Sequence, residues 1–190
     1  MKFGSDVVAQ VNTNSLTYDG AANFFLATEK NASISVNASV SGAAAIWLGN
    51  DNYVGDIRTI DATNSSVKAE LAGNDADNII SAGSGDSSLW GGNLGSDVLI
   101  GGSGRNTFFY TVGNGSDNVQ GAHDGDLVYL SQVTLDQIAS TNITAGGVAI
   151  NFKDGGSLQV DSTADVTYQL ADGSRYSANH EQLAWNGKSI

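Results

Sequence analysis

The chain has 190 residues, a formal net charge of −12 and a pI of about 4.1. Its eight Lys and Arg are scattered, which argues against nucleic acid and anionic membranes, since both need clustered basic side chains. There is no Cys, hence no disulfide and no thiolate metal site, and no apolar run reaches the ~18 residues of a membrane span.

The remaining composition favours strands and turns. Hydrophobic residues make up 41%, enough for a core, and charged residues only 15%. Gly is abundant at 24 and Pro is absent. All but three of the 20 acidic residues are Asp, which favours turns, whereas Glu favours helices. The first residues, Met1-Lys2-Phe3-Gly4-Ser5-Asp6, hold no apolar signal core, so an exported protein is expected to use a signal of another kind or place.

In chain order, residues 7–11, 23–27 and 33–40 are expected as strands. Residues 33–36 alternate polar and apolar, as one-sided strands do. Ile46-Trp47-Leu48 precedes a turn at Gly49-Asn50-Asp51-Asn52, and a second turn cluster spans residues 61–66. No stretch has a convincing helical period, and residues 134–140 allow a single helical turn. Residues 147–153 and 157–160 flank Asp154-Gly155-Gly156, a hairpin signal. Residues 166–171 and 175–177 flank Asp172-Gly173-Ser174 in the same way.

The centre of the chain repeats itself. Six half-turns align, from Ala72-Gly73-Asn74-Asp75-Ala76-Asp77-Asn78-Ile79 to Gly121-Ala122-His123-Asp124-Gly125-Asp126-Leu127-Val128. The large apolar position falls on Ile79, Leu89, Leu99, Phe108, Val119 and Val128, in steps of 9 to 11 residues. A glycine-rich corner followed by a short strand with one inward apolar residue is the unit of a parallel β-solenoid, whose turns stack about 4.8 Å apart. The position before the strand holds Asp77, Ser87, Asp97, Asn106, Asp117 and Asp126. Alternate half-turns share an edge, which predicts one row of Asp77, Asp97 and Asp117 and another of Ser87, Asn106 and Asp126. Carboxylates stacked about 4.8 Å apart repel by about 0.9 kcal/mol in water and about 3.5 kcal/mol at an effective dielectric near 20, so the first row gains from a cation between its members. Oxygen ligands without His or Cys favour Ca²⁺ over a transition metal. The alternative is a metal-free edge of side-chain ladders and turn-capping carboxylates.

These half-turns, residues 72–130, resemble the GGxGxDxUx nonapeptide repeats of the RTX (hemolysin-type) calcium-binding proteins. The resemblance implies a parallel β-roll with calcium between adjacent turns, held by the sixth-position Asp and by carbonyls of the glycine turns. On this chain it points to Asp77, Asp97, Asp117 and Asp126; Asp75 and Asp124, which stand where the repeat has its fourth-position Gly, either add ligands or cap a turn. It also implies a secreted or cell-surface protein.

Little points to catalysis. His123 and His180 lie in polar turn-like surroundings, and no GxSxG elbow, complete phosphate loop or EF-hand loop is present. Trp47 and Trp90 either fill grooves or stack sugars on an exposed face. The expectation is therefore an all-β, right-handed parallel β-solenoid with a C-terminal β-hairpin cap, and no enzymatic activity. Residues 1–70 continue the coil in degenerate form, or else form a separate small β-sandwich. Residues 71–130 carry the repeats, and residues 131–190 form the cap, with Tyr176 and Trp185 in its core. The expected role is a calcium-binding structural or adhesive module of an exported bacterial protein, self-associating through its ends or binding cell-surface polysaccharide. A folding and secretion appendix of an exported enzyme and a polysaccharide-active β-helix enzyme are the alternatives.

Overall fold

The computed structural model describes residues 58–177, together with the strands β1 (Val8–Val11), β2 (Ser15–Tyr18), β3 (Phe24–Ala27), β4 (Ser33–Val36) and β5 (Ala43–Trp47). Short strands then follow at every corner: β6 (Thr59–Asp61), β7 (Lys68–Ala72), β8 (Ile79–Ser81), β9 (Ser87–Trp90), β10 (Val98–Ile100), β11 (Asn106–Thr111), β12 (Ser116–Gln120) and β13 (Leu127–Ser131). From β4 to β13 the chain alternates between two sheets. Even-numbered strands stack in the order β2, β4, β6, β8, β10, β12, and odd-numbered ones in the order β5, β7, β9, β11, β13. Every pair in these two stacks is parallel. This is a β-solenoid, and its rungs extend through β2, β4 and β5 on the N-terminal side of the repeats. β1 and β3 form a parallel pair of their own.

Strand alternation builds the core. In one sheet Ile60, Ile80, Leu99, Val119 and Val160 occupy one inward column; in the other Leu71, Leu89, Phe108, Val128 and Tyr168 do so. All ten are at most 2% exposed. No rung encloses its own apolar residue, so each depends on the rungs above and below it. The corners need glycine where the turns nest. A Cβ on Gly92 would lie 1.9 Å from the Asn74 carbonyl oxygen one rung away, and its φ of +134° disfavours any other residue.

At the C-terminal end the ladders close with antiparallel strands. A 3-10 turn at Leu135–Gln137, within the stretch expected to be helical, leads into β14 (Ile138–Thr144), β15 (Gly147–Phe152) and β16 (Ser157–Asp161). β16 adds parallel to β12, and β15 and β14 then add antiparallel. β17 (Thr167–Gln169) adds parallel to β13, with β18 (Arg175–Ser177) antiparallel to it. Both expected hairpins are present, and β14 extends the first into a three-stranded meander. The Tyr110 ring stacks on Phe152, with centroids 4.7 Å apart, and its hydroxyl donates to the Gly115 carbonyl at 3.0 Å. This contact ties the cap to the last repeats. Trp185 and His180 lie outside the described residues, as does the turn at residues 49–52.

The first repeat differs from its sequence alignment by one residue. Ile80 faces the core at 0% exposure, whereas Ile79, expected inward, is 47% exposed. Two adjacent isoleucines leave the parity undetermined locally. It is fixed by the ladder, where Ile79 pairs with Val98 and Ile80 with Leu99. Ile80→Ala is expected to cost about 2–5 kcal/mol of stability, and Ile79→Ala less than about 0.5 kcal/mol. Urea unfolding of the two variants checks the register.

Candidate functional site: two buried polar edges

The polar residue two positions before each inward apolar residue, at or just before the start of the strand, is buried at the corner and forms a polar border to the apolar columns. On the even-strand side the border is Asn78, Asp97 and Asp117; on the odd-strand side it is Ser87, Asn106 and Asp126. All six are at most 4% exposed. The second row is the one expected from the sequence. In the first row Asn78 takes the place expected for Asp77, because of the same one-residue shift. Asp77 instead lies outside, its side chain 69% exposed and 3.9 Å from Arg58.

Buried carboxylates need donors, and here the neighbouring rung supplies them. Asp97 Oδ1 accepts the Asn78 backbone N–H at 2.8 Å, and Asp117 Oδ1 accepts that of Asp97 at 3.1 Å. Asp126 Oδ1 accepts the Asn106 N–H at 2.7 Å, and its Oδ2 accepts the His123 N–H at 3.0 Å. An outer set reaches the other way along the chain. Asp77 accepts from Ser96 N–H, Asp86 from Arg105 and Asp124 from Asp165, at 2.9, 2.9 and 2.8 Å. Asp75 is exposed in its turn, away from the inner row. His123 is exposed, with Nδ1 3.5 Å from Asp126 Oδ2.

The second carboxylate oxygens divide the corners into two kinds. Asp97 Oδ2 and Asp117 Oδ2 are buried with no protein hydrogen-bond partner. At Asn106 the equivalent position carries an amide nitrogen, which donates to the Gly102 and Gly104 carbonyls at 3.0 and 2.8 Å and lies 3.3 Å from Asp126 Oδ2. Its own Oδ1 is left without a donor. The amide therefore places a positive hydrogen-bond dipole inside its turn, where Asp97 and Asp117 place negative oxygens in theirs. Space is tight: a Cβ on Gly91 would lie 2.0 Å from Asp97 Oδ2.

Burial pushes both carboxyls up, Asp97 to about 8 and Asp117 to about 6. The charges of Asp117 and Asp77 raise Asp97 further, against the lowering by the Asn78 N–H. Chemically, the unpartnered oxygens suit a proton or a hard cation. Among the described residues no three His, Cys, Asp or Glu side chains converge on one point, so a cation here would need turn carbonyls to complete its shell. No helix among them is long and apolar enough to cross a membrane.

No family model matches the chain, and no curated protein or solved structure matches it.

Asp97→Asn gives a direct reading of the unpartnered oxygen. Its amide is expected to donate into the turn as that of Asn106 does, stabilising the cation-free protein at pH 9 by about 1–3 kcal/mol. A carboxyl raised on folding contributes most below its unfolded value of 3.8, and that contribution fades as pH rises through about 6 for Asp117 and about 8 for Asp97. The advantage of Asp97→Asn should therefore shrink towards pH 5, as measured by urea unfolding in EDTA across that range.

Proposed function

We propose that the chain is a calcium-responsive, non-catalytic structural or adhesive β-solenoid module of an exported or cell-surface protein, ordered by calcium outside the cell. The observation that carries the reading is the contrast between turns. Asp97 and Asp117 each leave a buried carboxylate oxygen without a donor, whereas Asn106 puts an amide nitrogen there that donates to two turn carbonyls, and the oxygen it leaves without a donor belongs to a neutral amide. A divalent cation at the first two corners would neutralise both carboxylates and engage turn carbonyls. The resemblance of residues 72–130 to RTX repeats, the net charge of −12 and the absence of Cys agree with it. Asp126 is less suited to a cation, since both its oxygens already accept hydrogen bonds. Asp77 and Asp75, being exposed, would contribute only from the surface.

A second reading is favoured by the upward-shifted carboxyls of Asp97 and Asp117: a metal-free solenoid that shares a proton between these two residues. Calcium titration of EDTA-treated protein distinguishes the two, followed by circular dichroism and thermal melting at pH 7.5. A native-state ligand at about 100 times its dissociation constant adds about 2.7 kcal/mol per site. The expected outcome is a raised melting temperature with calcium, a weaker response to magnesium, and loss of the increment in Asp97→Asn. Asn106→Asp should lower stability in EDTA and enlarge the calcium response. An EDTA-treated protein that is stable at pH 5, weaker at pH 8 and indifferent to calcium at both would establish the proton-sharing form instead.

A further inference from the structure

The outward face of the odd-numbered sheet bears a row of rings. Trp90, Phe109 and Tyr129 are consecutive in one register column, continued by Gln169 in the next rung. They have the opposite parity to the buried Leu89, Phe108 and Val128, and each is half-buried. Phe109 and Tyr129 meet edge to face, with centroids 5.5 Å apart and planes at 82°, which fixes the two rings against each other. Hydroxyls flank the row on both sides: Ser88 and Thr107 in one neighbouring column, Thr111 and Ser131 in the other. Along β9, β11, β13 and β17 no outward residue is charged, although the chain carries −12. Aromatic side chains left half-open beside hydroxyls mark a binding surface more than a solvated one.

We infer that this strip of rings and hydroxyls binds a neutral polysaccharide along the solenoid axis. The C–H faces of sugar rings stack on aromatic rings, and sugar hydroxyls exchange hydrogen bonds with Ser and Thr. From Trp90 to Tyr129 the row spans two rungs, about 10 Å, comparable to a disaccharide. Charge selects the occupant. A neutral polymer strips no ion of water here. An anionic polymer, or a second copy of the chain, meets the repulsion of the acidic protein. A cationic partner finds a single counter-charge, Glu70, at the edge of the strip beside Ser88. The inference rests on the outer face and is independent of the cation reading, which concerns inner corners.

The test is co-sedimentation of the full chain with insoluble β-1,4-glucan, chitin and starch, with polygalacturonate in solution as the anionic comparison. It is run in calcium and in EDTA, with circular dichroism recording folding in each. Binding to at least one neutral polymer is expected wherever the protein is folded, with none to polygalacturonate. Trp90→Ala and Tyr129→Gln should each weaken it about tenfold or more, the loss expected on removing a stacked ring. Tyr129→Gln places in this rung the residue that the next rung already tolerates, so it serves if Trp90→Ala fails to fold. Ile79→Ala, on the other sheet, should leave binding unchanged. The inference is overturned if no neutral polymer is bound, or if binding survives both ring variants. It is equally overturned if the rings prove to mediate a dimer, seen by sedimentation velocity and dissolved by Tyr129→Gln, without polymer binding.

Discussion

Everything in this molecule depends on the rung spacing of a parallel ladder. Strands hydrogen-bond about 4.8 Å apart, so a residue type placed at one corner is laid on its equivalent from the next turn. Apolar residues gain from this, which is why Ile60, Ile80, Leu99 and Val119 line up without a gap. Charged residues do not, and an interior row of carboxylates stands only where something offsets their repulsion and desolvation.

The chain offsets this with its own backbone. Inner carboxylates such as Asp97, Asp117 and Asp126 accept an N–H from the rung before, and outer ones such as Asp77, Asp86 and Asp124 accept one from the rung after. Neighbouring turns are thereby joined at both borders as well as through the ladders, and the side chains that look like a cation site also set the nesting of the corners. At Asn106 the amide nitrogen donates to two turn carbonyls and the leftover oxygen is that of a neutral amide, whereas at Asp97 and Asp117 the leftover oxygen belongs to a carboxylate. The corners thus differ by a single atom, nitrogen at Asn106 and oxygen at Asp97 and Asp117.

How much of this was legible beforehand follows from what each residue says locally. Leu89, Leu99, Phe108, Val119 and Val128 each follow a polar corner residue by two positions and recur in steps of 9 to 11 residues, and that spacing was enough to specify a solenoid and the Ser87–Asn106–Asp126 edge. The hairpins around Asp154-Gly155 and Asp172-Gly173 were legible because the turn chemistry is local. The first repeat was not, because Ile79 and Ile80 are identical and Asp77 and Asn78 are both credible corner residues. Only the long-range pairing of Ile79 with Val98 decides among them. The aromatic column was half visible: Trp90 stood out, but its alignment with Phe109 and Tyr129 is a property of the stacking and not of any one segment.

The turn at residues 91–97 holds one residue more than the turn at residues 73–78, yet β10 pairs with β8 in unbroken register. The surplus is carried by the corner, where Leu94 is 53% exposed. Length is therefore negotiable at the corners and fixed along the strands, since one added residue inside a strand would exchange its inner and outer faces. Insertions and deletions in such a chain obey a positional grammar. Corners can gain or lose single residues, and even bear whole loops, whereas the strands between them change length only together with their neighbours or by whole turns.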